Sequence, residues 1–204
     1  MKALNLLTFK KYLYSIILLS TIFLNKVSGQ TLVMEAGNVS ISHLISSVSL
    51  NNTFTNPVVI ATVPSYNGAH QVTIRLKNIT GRGFDIFIEE PDGLDGAHTI
   101  ETVHYIVIEK GVYTFPDGTM LEAGTLSSTN LNFQTVSLLQ NYNATPCVFT
   151  QVQTDNSSTR FLKTRQKNST TSSFQTKLER SELKKTSLFG GINETIGYFA
   201  ISKG

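Results

Sequence analysis

The chain has 204 residues, of which 40% are hydrophobic and 15% charged, with one cysteine and no tryptophan. A single cysteine excludes the internal disulfide framework that holds many small secreted domains together, so the fold must rest on a hydrophobic core. The formal net charge of +3 comes from the first 29 residues; beyond them stand 13 basic and 14 acidic side chains, and the overall basicity gives no argument for nucleic-acid binding.

Lys2, Lys10 and Lys11 precede an apolar run, Tyr14 to Leu24, that is too short to span a bilayer. Val27-Ser28-Gly29 then offers small residues for cleavage. Residues 1–29 therefore read as a signal peptide, with a secreted mature chain starting at Gln30 and no membrane span after cleavage.

From Met34 onward the same pattern runs twice. Met34-Glu-Ala-Gly37 returns as Leu121-Glu-Ala-Gly124, and Val48-Ser-Leu50 as Val136-Ser-Leu138. Phe54 to Val59 returns as Tyr142 to Val148, Arg75 to Asn78 as Arg165 to Asn168, and Phe84 as Phe174. Glu101-Thr-Val-His-Tyr-Ile-Val-Ile108 returns as Glu194-Thr-Ile-Gly-Tyr-Phe-Ala-Ile201. Ordered matches with small gaps identify an internal duplication.

Each copy reads as β. Val58 to Val63 is an apolar run of strand length, while Val72–Leu76, Phe84–Ile88 and Val103–Ile108 alternate with period two. Tyr66-Asn-Gly68, Thr80-Gly-Arg-Gly83 and Pro91-Asp-Gly93 supply turns between them. The expected fold is all-β: two tandem antiparallel β-sandwich modules of about six strands each. The first covers residues 30–111 and the second 121–204, joined by a linker turn at 112–120 with Pro-Asp-Gly at its tip. Cys147, in the run Pro-Cys-Val-Phe, reads as a buried strand thiol. The alternative is an intermolecular disulfide.

The copies differ in charge. Residues 34–111 hold four basic and eight acidic side chains, residues 112–204 nine basic and six acidic. That contrast orients the modules on each other, presents two unlike surfaces, or is drift on solvated faces. No nucleophile elbow, zinc-protease helix motif, phosphate loop or dinucleotide fingerprint occurs, so the chain is expected not to be an enzyme. Glu101 and Glu194, each followed by Thr before a last strand, read as structural acceptors for backbone amides.

The most distinctive polar stretch is Glu89-Glu-Pro-Asp-Gly-Leu-Asp-Gly-Ala-His-Thr-Ile-Glu101. Carboxylates and glycines in one loop suit calcium or sugar hydroxyls, since both ligands need converging acceptors on a tight backbone. The ligand-binding candidates are Asp92, Asp95 and His98, with His70 and Gln71 beside them and Tyr66 as the aromatic for a sugar's apolar face. Calcium at Asp92 and Asp95 is the alternative use of the loop, and no other cofactor or metal is expected.

Each module resembles the H-type lectin domain family. The resembling residues are Phe54-Thr-Asn-Pro-Val-Val-Ile60, Arg75, Asn78-Ile-Thr-Gly-Arg-Gly-Phe84 and Val103-His-Tyr-Ile-Val-Ile-Glu109. The resemblance implies a six-stranded antiparallel sandwich, frequently a homo-oligomer, that binds N-acetylgalactosamine-type sugars. Against the family's sugar site, the chain lacks its Trp, has Gln71 at the middle-strand position, and has no Asp in Asn38–His43. The expectation is a secreted, carbohydrate-binding or adhesive protein whose partner is an extracellular glycan or surface protein. The alternative is a structural subunit of an extracellular matrix or cell-surface complex.

Overall fold

A computed structural model describes residues 31–128, 131–156, 161–182 and 193–203; the segment read as a signal peptide lies outside them. Thirteen strands among the described residues form four small antiparallel sheets, and the chain is all-β. One sheet orders β1 (Met34–Ile41), β6 (Glu101–Glu109) and β3 (Pro57–Ala61) as β1-β6-β3. A second orders β2 (Ser46–Ser49), β5 (Gly83–Glu89) and β4 (Thr73–Thr80) as β2-β5-β4.

The second half repeats the scheme. β8 (Met120–Ser128), β13 (Glu194–Ile201) and β10 (Cys147–Val152) take the places of β1, β6 and β3, and β7 (Gly111–Thr114) is added beside β8. β9 (Gln134–Ser137), β12 (Ser173–Glu179) and β11 (Lys163–Lys167) repeat the order β2-β5-β4. Residues 112–120 are more than a linker. Most of β7 lies there, and Phe115 to Gly118 makes the turn into β8, with the Gly118 amide donating to the Phe115 carbonyl at 2.9 Å.

Strand alternation sends side chains to two different cores. Along β6, Val103 and Val107 face a first-half core with Ile41, Leu76, Phe84 and Ile86. Ile106 and Ile108, on the other face, join Val58, Leu121, Ala123 and Phe199 in a core between the halves. The second half closes its own interior with Val136, Phe174 and Tyr198, and with Leu162, Leu178 and Ile196. Phe84 meets Tyr105 edge-on at 5.2 Å between centroids, and Phe174 meets Tyr198 at 5.3 Å. Each tyrosine lies over the glycine paired with it across the sheet, Gly37 and Gly124. The repeated Glu-Ala-Gly is thereby explained: a methyl group at Gly37 would sit 2.5 Å from Tyr105 Oη.

Cys147 lies in a strand but is exposed, contrary to the buried thiol expected. β10 is an edge strand, and the outward-facing set that starts with Cys147 continues with the exposed Phe149. A lone apolar run does not say which face of a strand is covered.

The seam between the halves is also polar and specific. β3 is an edge strand, and the Val59 and Ala61 amides point away from β6. Gln153 Oε1 accepts from the Val59 amide at 2.9 Å, and its Nε2 donates to the Val59 carbonyl at 2.8 Å. Gln151 Oε1 accepts from the Ala61 amide at 2.8 Å. Two glutamine side chains thus cover an open strand edge as another strand would. Arg75, fully buried, completes the seam by donating to Glu89 of its own half and to Asp155 of the other.

Candidate functional site

The first-half loop is organised around two buried carboxylates. Glu101, at the start of β6, accepts from Ser65 Oγ at 2.6 Å, from the Gly68 amide at 2.7 Å and from the Asn67 amide at 2.9 Å. Burial raises its carboxyl, but these bonds and one from His98 outweigh burial and hold it down at about 2. The second half repeats the clasp: Glu194 accepts from Thr154 Oγ1 at 2.5 Å and from the Asn156 amide at 3.3 Å. The structural role read for both glutamates is what the geometry gives them.

Glu90 is the other fixed point. Its Oε1 lies 3.0 Å from His98 Nδ1 and 3.1 Å from His70 Nδ1, and its Oε2 accepts from the Gly96 amide at 3.2 Å. Gly93 and Gly96 take φ of 98° and 80°, the left-handed conformations that the two Asp-Gly pairs allow. In the sequence Glu90 is one more acid of a polar loop, and only the fold shows it buried.

The six candidate residues do not form one site. His98 is buried, with Nδ1 on Glu90 and Nε2 3.2 Å from Glu101 Oε1. Both ring nitrogens are engaged, so it braces the loop and leaves no atom for a ligand. Tyr66 is 84% exposed, and His70 and Asp95 are at the surface beside the same loop. The Asp95 carboxyl is held below its usual value, first by the Ala97 amide. Gln71 and Asp92 face elsewhere, into a cleft between the halves. Among the described residues no group of three or more His, Cys, Asp or Glu is arranged to hold a metal ion, Asp92 and Asp95 included.

That cleft has a volume of about 630 Å³. Gln71, Pro91 and Asp92 form its first-half wall; Phe161, Lys163, Arg165, Lys177 and Glu179 are on the second-half wall. Arg165 Nη1 donates to Glu179 Oε2 at 3.1 Å, and Lys163 and Lys177 stand 3.7 and 3.6 Å from the same carboxylate. Sequence reading missed these residues because β11 and β12 look like a solvated polar hairpin; the signals were the basic excess of the second copy and the return of Arg75 to Asn78 as Arg165 to Asn168.

No family model matches the sequence, and no solved structure matches it. The chain is 32% identical over 167 residues to halomucin of Haloquadratum walsbyi (strain DSM 16790 / HBSQ001). The match takes in 78% of this chain and 2% of that protein's length. A stretch covering 78% of the chain necessarily crosses its middle, so the similarity includes parts of both halves.

Proposed function

We propose that the chain is an extracellular, non-catalytic module that binds saccharide in the cleft between its halves and serves adhesion. The cleft carries this reading. It falls within the roughly 300–1,000 Å³ of small-molecule sites, and a seam of buried glutamine and arginine contacts fixes its two walls relative to each other. Its lining offers amide, carboxylate and cationic groups beside the Phe161 ring, a mixture suited to hydroxyls and a sugar's apolar face.

The relative's name is that of a mucin, and a similarity embedded in a far longer protein fits a building block of an extracellular adhesive or structural chain. The resemblance to H-type lectin domains supports the sugar-binding part, with Tyr66, His70 and Asp95 as a secondary contact surface. A second reading, assembly with another protein or with further copies, is favoured by Phe149 and Cys147 exposed together on the edge strand β10.

A glycan array with the mature chain, run beside sedimentation velocity, separates the two. Retention of saccharides by a monomer supports the lectin-like reading. Self-association with no retained glycan supports the assembly reading instead.

A further inference from the structure

The duplication supplies its own template for a ligand. In the first half, Arg75 Nη1 donates to Glu89 Oε2 at 2.6 Å and Arg75 Nη2 to Asp155 Oδ1 at 2.8 Å; Lys77 Nζ lies 3.6 Å from Asp155 Oδ2. Asp155 belongs to the second half. Arg75 and Lys77 therefore grip a carboxylate delivered from outside their own pair of sheets.

The second half keeps the gripping groups. Arg165, Lys167 and Glu179 stand where Arg75, Lys77 and Glu89 stand, in the same strand register: Thr73 pairs with Glu89 and Lys163 with Glu179. The arginine–glutamate contact is repeated, Arg165 Nη1 to Glu179 Oε2. Two positions have changed toward positive charge, Thr73 to Lys163 and Phe87 to Lys177. What is missing is the delivered carboxylate. Among the described residues no acid other than Glu179 makes an ion pair with Arg165, whose side chain is 60% exposed. Three cations share Glu179, and the whole lining sets Lys163, Arg165, Lys177 and Arg180 against Asp92, Glu179 and Glu182, which leaves a net positive charge in a concave site.

We propose that Arg165, Lys163 and Lys177 bind the carboxylate of a uronic-acid-bearing saccharide, in the way that Arg75 and Lys77 bind Asp155. This rests on the saccharide reading above and names the ligand's charge. A planar guanidinium and a carboxylate match as a charge-assisted pair. Across the cleft, Gln71 offers an amide to ring hydroxyls. Asp92, Glu179 and Glu182 on the same lining disfavour a polyphosphate chain, whose charges are denser.

The test is calorimetric titration of the mature chain with tri-galacturonate, its methyl ester, N-acetylgalactosamine and a tri-glutamate peptide. The proposal expects tri-galacturonate to bind, the methyl ester to bind at least tenfold more weakly, and affinity to fall with added salt. Arg165→Gln should lose tenfold or more, and Arg165→Lys should recover part of that loss. Circular dichroism checks that each variant stays folded, and Lys163→Gln provides a second variant at the same site. Equal affinity for acid and ester, or unchanged binding by both variants, overturns the proposal. Binding of the peptide but not the saccharide overturns it in favour of an acidic protein partner. Retention of neutral sugars alone overturns it while leaving the lectin-like reading intact, whereas an empty glycan array removes that reading as well.

Discussion

Glu101 shows how much one side chain can fix. Its carboxylate anchors Ser65, Asn67, Gly68 and His98, and so sets the shape of the loop that carries Tyr66 and His70. Glu101→Gln keeps the size but weakens charge-assisted bonds, and a loss of about 1–3 kcal/mol is expected in urea unfolding. The pH dependence follows from the depressed carboxyl. A folded value of about 2 against 4.5 means that the contribution is complete above about 4.5 and is lost as pH falls through about 2. Wild type should therefore lose stability across that acid window more steeply than Glu101→Gln; superimposable acid limbs would contradict this. At the same scale, Tyr198 Oη donates to Glu122 Oε1 at 2.7 Å in the core, so Tyr198→Phe should cost about 1 kcal/mol, read as a lowered urea midpoint.

Among the elements, β3 depends most on a distant partner. Gln153→Ala would strip the Val59 amide and carbonyl of their seam bonds in a fully buried position, at a cost of about 2–4 kcal/mol. Leu44→Ala, at an exposed loop position, should change stability by less than about 0.5 kcal/mol in the same assay. Gly124→Ala would push Tyr198 off its glycine and away from Phe174, destabilising by about 1–3 kcal/mol as other overpacked cores do. β3 to β6 were legible because apolar residues there alternate or run together between clear turns. β1, β2 and β7 were not, because their alternation is diluted by Ser, Gly and Thr. The clasping role of Glu101 could be read from its repetition beside Thr in both copies. The cleft could not, since Gln71 and Asp92 meet Lys163, Arg165 and Lys177 only after the halves pack, and nothing local in β11 or β12 marks a binding wall. His98 looked like a ligand contact for the opposite reason: sequence shows a polar ring in a polar loop and hides the two carboxylates that enclose it.

For the whole molecule, the decisive feature is that the halves are not beads on a string. An apolar core, two glutamines and the pair of buried Arg75 with partly buried Asp155 lie between them, and the proposed binding cleft exists only while that seam is closed. The charge contrast between the copies is used in part at the seam, where Asp155 of the more basic half neutralises Arg75 of the more acidic one. If the halves form one body, heat must melt them together, because opening the seam exposes buried polar groups on both sides. Differential scanning calorimetry of residues 30–204 tests this most directly. One transition is predicted, with calorimetric and van't Hoff enthalpies equal, and Gln153→Ala should lower its midpoint without splitting it. Two separate transitions in the wild-type chain, each the size of a single half, would contradict a shared seam and the binding site built on it.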